Sequence, residues 1–173
     1  MRRFVIADTH FNHRNIIDYC DRPFNDVDHT NESMIRNWNE MVENGDFVYL
    51  LGDYCLGPYE VQKRILDRLN GRKILVMGNH DRLPPNRYIE MGFCVATRKP
   101  MMVDPGVILM HEPFIEADKY VLEPYIYFFG HVHDKHTEME NYKNCRCVSA
   151  ERIQYKPLDL DLAIKDIKRK IKS

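Results

Sequence analysis

The stretch Lys73-Ile74-Leu75-Val76-Met77-Gly78-Asn79-His80-Asp81 decides how the chain is organised. Its first five residues are mostly apolar and predict a buried β-strand. Gly78 then lets the backbone turn sharply, and an amide, an imidazole and a carboxylate follow. In open α/β sheets, ligands gather at the carboxyl ends of the strands. The stretch therefore predicts a strand that delivers polar side chains to a site.

Four other blocks of polar residues also follow apolar runs. They are Asp8-Thr9-His10, Gly52-Asp53, His111-Glu112-Pro113 and Gly130-His131-Val132-His133. Residues two apart in an extended segment point to the same side, so a block with two such residues can direct both at one site. The blocks predict that carboxylates, imidazoles and an amide meet at one edge of a sheet.

The residue types in these blocks are those that bind transition-metal ions. The Asp53 carboxylate has two oxygens and can bridge two ions, while Asn79 supplies a neutral oxygen. Such a mixture argues against calcium and against a pure magnesium site. Two divalent ions would keep net positive charge beside Asp8, Asp53 and a bridging hydroxide, which favours a phosphate ester. We expect two divalent transition-metal ions, with manganese first and iron, zinc, nickel or cobalt as alternatives.

Taken in order, the five blocks resemble the motifs of the calcineurin-like metallophosphoesterases, and they extend from Asp8 to His133. The chain is most similar to the small, single-domain microbial and phage-type branch of that family. The resemblance implies the metallo-dependent phosphatase fold, a four-layer α/β/β/α sandwich of two mixed sheets with helices outside. It also implies how the ligands are shared: Asp8, His10 and His133 around the first ion, Asn79, His111 and His131 around the second, and Asp53 as the bridge.

The same resemblance implies a mechanism. A metal-bound hydroxide would attack a phosphodiester in line, and His80 would act as general acid for the leaving oxygen. Asp81 is the second expected catalytic residue, in support of His80. Phosphomonoesters are the second option for the substrate. Protein serine/threonine phosphatase activity is disfavoured, because that branch carries Asp-Arg-Gly shortly after its Gly-Asp, whereas Gly52-Asp53 is followed here by Tyr54-Cys55-Leu56-Gly57.

The sequence is also compatible with two alternative functions. A family member with a degraded site can serve as a protein-interaction scaffold, but such members lose the acid histidine or the ligands, and both are present here. A nuclease of the same chemistry is the other alternative, and the near-neutral charge of the chain weakens it. The residues that bind the rest of the substrate are not assigned. For His13, Arg14 and Arg82, substrate contact and a plain surface role are both open.

Composition limits the number of domains, the kinds of partner and the location that the sequence allows. The 173 residues suit one domain, residues 1–173, and 44% hydrophobic residues can form a core. A net charge of −1 predicts no bulk nucleic-acid binding and no membrane partner. Five cysteines without a CxxC pair predict reduced thiols and a cytoplasmic location. The expected partner is a small phosphate-ester or nucleotide-like substrate, and a homo-oligomer is compatible with the sequence.

Apolar runs and turn signals predict strands and helices that alternate in the first half of the chain, which implies parallel strands with crossover helices. The predicted strands are residues 3–7, 47–51, 73–77, 93–97, 125–129 and 145–148, with a hairpin of 101–103 and 107–110. The predicted helices are residues 15–20, 59–69, 84–92 and 158–171. A further helix is predicted to be capped by Thr30 or Asn31 and to end near Val42.

Overall fold

The computed structural model describes residues 1–114 and 124–172. Its strands are β1 (Arg3–Ile6), β2 (Phe47–Leu50), β3 (Arg72–Val76), β4 (Val95–Thr97), β5 (Met101–Asp104), β6 (Val107–Leu109), β7 (Ile126–Phe129), β8 (Cys145–Cys147) and β9 (Leu158–Asp159). Its helices are α1 (Asn15–Tyr19), α2 (Val27–Met41), α3 (Tyr59–Leu66), α4 (Pro85–Met91) and α5 (Leu160–Lys172), with 3-10 turns at Glu138–Asn141 and Ala150–Ile153.

The strands form two mixed sheets. The first has the order β4-β3-β2-β1-β9, in which β1 to β4 are parallel and β9 is antiparallel to β1. The second has the order β5-β6-β7-β8, in which only the β5–β6 hairpin is antiparallel. A parallel bridge between Ala7 and Ser149 joins the end of β1 to the end of β8. The expected pair of mixed sheets with helices is confirmed.

The side chains of β1 show how the layers are held together, because they alternate between the two faces of the first sheet. Phe4 and Ile6 belong to a buried core with Trp38 of α2. Val5 points the other way, into a second core with Phe128 of β7. Helices α2, α3 and α4 therefore cover the outer face of the first sheet, and the second sheet packs against its inner face.

The last helix and the outer face of the second sheet complete the packing. Buried residues of α5, among them Leu160 and Ile164, join the core between the two sheets. On the outer face of the second sheet, Tyr127 and Phe129 pack with Met139 from the 3-10 turn. No helix in residues 1–114 or 124–172 is long and apolar enough to cross a membrane.

The predicted cap of the second helix was wrong. Helix α2 begins at Val27, and its N-cap is Asp26, whose carboxylate accepts a 2.7 Å hydrogen bond from the amide of His29. Thr30 and Asn31 are buried inside the first two turns instead. Asn31 has another use, because its Oδ1 accepts from the amide of Asn12 in the loop after β1.

Two other helix boundaries differ from the prediction by more than one residue. Helix α3 ends at Leu66 rather than at residue 69. Helix α5 begins at Leu160, because Leu158 and Asp159 pair with β1 as the short strand β9. Asp159 then receives a 2.9 Å hydrogen bond from the amide of Leu162, which is the contact expected of a helix cap.

Candidate metal centre

The polar blocks meet because the strands that precede them are neighbours. Strands β1, β2 and β3 are parallel, so their carboxyl ends lie at one edge of the first sheet and deliver Asp8, Asp53 and Asn79 there. Strands β6 and β7 deliver His111 and His131 from the second sheet. The centre therefore lies where the carboxyl ends of both sheets come together.

The backbone at this centre has an unusual conformation. Five of the seven expected ligands have positive φ angles: Asp8 (54°), His10 (46°), Asp53 (53°), His131 (74°) and His133 (53°). This left-handed region is uncommon for residues with a side chain. Such outliers cluster at functional sites, where the surrounding structure holds them. The concentration of outliers at one edge supports a binding role for these loops.

The first group of side chains is Asp8, His10 and His133, whose ligand atoms lie within 4.8 Å of one another. Asp8 Oδ1 and His10 Nε2 are buried and have no hydrogen-bond partner among the described residues. An unsatisfied buried polar atom costs about 1–3 kcal/mol. A cation between these atoms would satisfy both, so the donor set fits a bound metal ion.

The other carboxylate oxygen of Asp8 is fixed by the protein. Its Oδ2 accepts a 2.6 Å hydrogen bond from Ser149 Oγ and a 2.8 Å bond from the amide of His131. Burial raises the pKa of Asp8 to about 6, although His111, His133 and the Ser149 hydroxyl lower it in part. Oδ1 is thereby left to face the centre.

The second group is Asn79, His111 and His131. Asn79 Oδ1 lies 3.0 Å from His111 Nε2 and 3.1 Å from His131 Nδ1. His111 Nδ1 lies 2.8 Å from the carbonyl oxygen of Leu51, which can only accept, so Nδ1 carries the proton. The lone pair of His111 Nε2 is then directed toward the Asn79 oxygen. Two lone pairs that face each other are the arrangement in which a cation is expected.

Asp53 lies between the two groups. Its Oδ1 accepts a 2.8 Å hydrogen bond from the amide of His80. Its Oδ2 lies 3.5 Å from His10 Nε2 and 3.6 Å from His111 Nε2. One carboxylate oxygen therefore faces both groups, as the bridging role requires.

Two glycines permit this close approach. A Cβ atom at Gly78 would overlap Asp53 Oδ1, and one at Gly130 would overlap both Ala7 Cβ and Asp8 Oδ2. Neither position has room for a side chain without displacing an expected ligand.

His80 lines an open cleft of about 560 Å³, whose walls also include the expected ligands His10, His131 and His133. It is half-buried, and its ring centroid lies 5.3 Å from that of His10. The cleft also includes His13, Tyr19 and Lys135. His80 is therefore placed beside both the metal-type groups and the space that a substrate would enter.

Asp81 has partners other than the expected one. Its buried carboxylate accepts hydrogen bonds from the backbone amides of Gly78 (2.8 Å), Asp53 (2.8 Å) and Tyr54 (3.0 Å). Burial raises its pKa, and these bonds lower it in part. Within the described part of the chain, it forms no hydrogen bond to the ring of His80. Asp81 thus ties the loop after β2 to the loop after β3.

Three functional candidates were missed by the sequence prediction: Ser149, Glu151 and Arg22. Glu151 Oε1 lies 3.1 Å from His133 Nδ1 and 2.7 Å from the buried guanidinium of Arg22. Arg22 also donates to the backbone carbonyl groups of Asp8 and Thr9. Ser149 and Glu151 follow strand β8 just as the five blocks follow theirs, so the same strand-end rule would have found them.

Glu151 and Cys20 also affect the charge of His133. Burial lowers the pKa of His133, but hydrogen bonds with Cys20 and Glu151 outweigh this and raise it to about 10. Cys20, His133 and Glu151 have ligand atoms within 4.8 Å of one another. The adjacent Arg22 guanidinium disfavours a cation in this second arrangement, so we regard Glu151 as the partner that orients His133.

Three further polar residues near the expected ligands in sequence are Arg14, Glu112 and Arg82. Arg14 pairs with Asp18 on the exposed side of α1. Glu112 Oε1 lies 3.9 Å from His131 Nε2. Arg82 is exposed. Glu112 is therefore close to an expected ligand.

Comparison with known proteins gives the following matches. The family model described as calcineurin-like phosphoesterase matches residues 1–97. An uncharacterized protein of Methanocaldococcus jannaschii is 35% identical over 96% of this chain and 91% of its own length. The Gene 66 protein of Mycobacterium phage L5 is 26% identical over 63% of this chain and 62% of its own length.

Two solved structures are also similar. A protein of unknown function from Aquifex aeolicus, AQ665, has a TM-score of 0.75 and 26% identity, over 95% of this chain and 98% of the other. The Pseudomonas putida nuclease MPE has a TM-score of 0.50 and 20% identity, over 76% of this chain and 62% of the other. At that identity, the second match supports the fold alone.

Proposed function

Since the chain belongs to the calcineurin-like phosphoesterase family, we propose that it hydrolyses phosphodiesters at a centre of two divalent metal ions. The observation that carries this proposal is the pair of buried, unpartnered atoms Asp8 Oδ1 and His10 Nε2, with Asp53 Oδ2 beside them. A cation between these atoms would satisfy both unpartnered atoms and would offset the cost of burying them.

The proposed first site comprises Asp8, His10 and His133, and the proposed second site comprises Asn79, His111 and His131, with Asp53 as the bridge. Manganese is the ion we expect first, with iron, zinc, nickel or cobalt as alternatives, because each group combines nitrogen and oxygen donors that suit divalent transition metals. Bound divalent ions would supply Lewis-acid polarisation of the phosphoryl group and a lowered pKa for water.

The chain's own contribution to proton transfer is His80. Its backbone amide donates a 2.8 Å hydrogen bond to Asp53 Oδ1, which holds the backbone of His80 beside the proposed bridge. Its ring lines the cleft, so a protonated imidazole there can donate to the oxygen of the leaving alcohol. Asp81 contributes indirectly, because it holds the backbone on both sides of Asp53 and His80.

A diester is favoured over a monoester by the charge of the cleft. Of the described residues that line it, Lys135 alone carries a permanent positive charge. A phosphodiester has one negative charge near neutral pH, whereas a monoester approaches two. A cleft with few cations outside the metal centre suits the less charged substrate.

The test is a hydrolysis assay with metal-stripped protein. Manganese is titrated in, with bis-p-nitrophenyl phosphate and p-nitrophenyl phosphate as parallel substrates. We expect manganese to restore activity, the diester to react faster, and His80→Ala to lower kcat by about 10²–10⁴. His29→Ala is the matched control, since His29 lies at the exposed start of α2.

Three other outcomes of these assays would contradict the proposed function or favour one of the two alternatives. Absence of metal binding would refute the central proposal. Binding of two ions without turnover of either ester would favour the scaffold function instead. Turnover of a single-stranded oligonucleotide as fast as a dinucleotide would identify a nuclease of the same chemistry.

A further inference from the structure

His13 is a cleft residue that belongs to neither proposed metal site. It lies in the loop after β1, is half-buried, and lines the cleft that also contains His80. Its ring centroid lies 5.2 Å from that of His10 and 6.3 Å from that of His80. It is therefore adjacent both to a proposed ligand and to the proposed acid.

We propose that His13 binds a non-bridging oxygen of the substrate phosphate through its Nε2–H group. This inference rests on the function proposed above, because it requires His10 to face a metal ion. It assigns to this chain a phosphate-binding residue, which the sequence alone left undecided.

The contacts of His10 decide which nitrogen of each ring carries the proton. His10 Nε2 is buried without a protein partner, beside Asp53 Oδ2. A nitrogen that faces a cation presents its lone pair, so the single proton of this imidazole lies on Nδ1. His10 Nδ1 lies 3.3 Å from His13 Nδ1. His10 therefore donates to His13, and His13 Nδ1 is the acceptor.

The position of the proton on His13 follows from this contact. A histidine whose Nδ1 accepts a hydrogen bond has its proton on Nε2. Among the residues that the structure describes, none forms a hydrogen bond with His13 Nε2. The ring lines the cleft, so this N–H group is available to whatever the cleft binds. A phosphate oxygen is the acceptor that the proposed reaction brings there.

In this arrangement one histidine donates a proton to the leaving group and another binds the phosphate, two functions that a single histidine could not perform together. His80 must release its proton to the leaving oxygen, whereas His13 keeps its proton and offers a fixed donor. A neutral N–H donor to an anionic oxygen contributes a charge-assisted hydrogen bond. His13 is thus a positioning residue that binds the phosphate without proton exchange.

The test measures the binding of inorganic phosphate to zinc-loaded protein by calorimetry, together with the metal content of each variant. We expect His13→Ala to weaken phosphate binding roughly tenfold at unchanged metal content. The amide NH₂ of glutamine lies near the position of Nε2, and that of asparagine near Nδ1. His13→Gln should therefore restore much of the affinity, and His13→Asn should not.

The matched control is His136→Ala. His136 lines the same cleft, but its Nε2 lies 3.1 Å from Asn141 Oδ1 and its Nδ1 lies 3.5 Å from Glu140 Oε2. Because both ring nitrogens face protein partners, we expect phosphate binding of this variant to equal that of the wild type.

Three results would overturn the inference. The first is wild-type phosphate affinity in His13→Ala, and the second is loss of bound metal in that variant with unchanged affinity in its loaded fraction. The third is a nitrogen NMR spectrum of zinc-loaded protein that places the His13 proton on Nδ1. If loaded wild-type protein binds no phosphate at all, this inference fails; the proposed function fails only if that protein also hydrolyses neither ester, which distinguishes the two cases.

Discussion

At the scale of single residues, side chains of the same type serve different purposes at this edge of the sheets. Asp8 directs one oxygen at the centre and fixes the other through Ser149. Asp53 directs one oxygen between the two groups. Asp81 directs both oxygens at backbone amides instead. The partners of each carboxylate, rather than its position after a strand, decide what it can do.

The partners of Asp81 give a prediction that separates a positioning role from a catalytic one. Asp81→Asn replaces an acceptor oxygen with an NH₂ group that must face a backbone N–H, so at least one buried bond is lost. Hydrogen bonds to a charged group contribute about 1.5–3 kcal/mol each. We expect the free energy of unfolding in urea to fall by about 3 kcal/mol.

His80→Ala is the comparison for this variant. We expect it to lose activity while its free energy of unfolding stays within about 0.5 kcal/mol of the wild type. Wild-type stability in Asp81→Asn, combined with a loss of kcat, would assign Asp81 to catalysis.

Glu151 gives a second prediction at this scale. Its carboxylate orients His133 and neutralises the fully buried Arg22. Removal of a partner of a metal-binding histidine typically costs 10–100-fold in metal affinity, and a broken buried ion pair costs about 3–5 kcal/mol. We expect Glu151→Ala to show both losses, by metal titration and by urea unfolding.

A matched variant tests whether the ion pair is responsible for the stability loss. His133→Ala removes the proposed ligand but leaves Glu151 paired with Arg22. We expect it to lose metal affinity with a smaller loss of stability. Equal stability losses in the two variants would contradict this account.

At the scale of elements, loops that join strands to helices are fixed by buried carboxylates. Asp46 lies in the turn before β2 and accepts hydrogen bonds from the amides of Arg2 (2.7 Å) and Glu43 (3.1 Å). It also forms a 3.0 Å ion pair with the Arg2 side chain. One carboxylate thereby holds the start of β1 beside the segment between α2 and β2.

Asp46 gives a prediction about pH. The backbone hydrogen bond from Arg2 is the largest cause that lowers its pKa, and burial opposes it. Because the folded-state pKa lies below the unfolded one, the stabilisation is complete above the unfolded pKa of about 3.9. It is lost as the pH falls through the folded pKa.

The measurement is the free energy of unfolding of wild type and Asp46→Asn between acid and neutral pH. We expect the variant to be about 2 kcal/mol less stable at pH 7, with the difference shrinking as the carboxylate is protonated in acid. A difference that is constant with pH would show that charge plays no part in this contact.

At the scale of the whole molecule, the meeting of the polar blocks at one edge was predictable and the hydrogen-bond network behind the expected ligands was not. The alternation of apolar runs and polar blocks predicts which residues reach the shared edge, because parallel strands place their ends together. The bonds of Asp81 to the amides of Asp53 and Tyr54, and the contact of Glu151 with His133, join residues far apart in the chain, and no local pattern encodes them. The N-cap of α2 had to be chosen among several cap-type residues; Asp26 takes that place, while the Asn31 side chain accepts a hydrogen bond from the loop after β1.

The last prediction follows from the division of the proposed ligands between two sheets. Asp8 and Asp53 come from the first sheet and His111 and His131 from the second, so bound ions would join the sheets directly. A ligand that binds only the folded state stabilises it by about 2.7 kcal/mol at a concentration 100 times its Kd. Manganese should therefore raise Tm, by about 2–4 °C per kcal/mol in a chain of this size, and a chelator should reverse the rise. In His111→Ala the rise in Tm caused by manganese should be smaller, because the second sheet loses a proposed ligand. In His29→Ala this rise should equal that of the wild type. A rise that is the same in both variants would mean that the ion binds elsewhere.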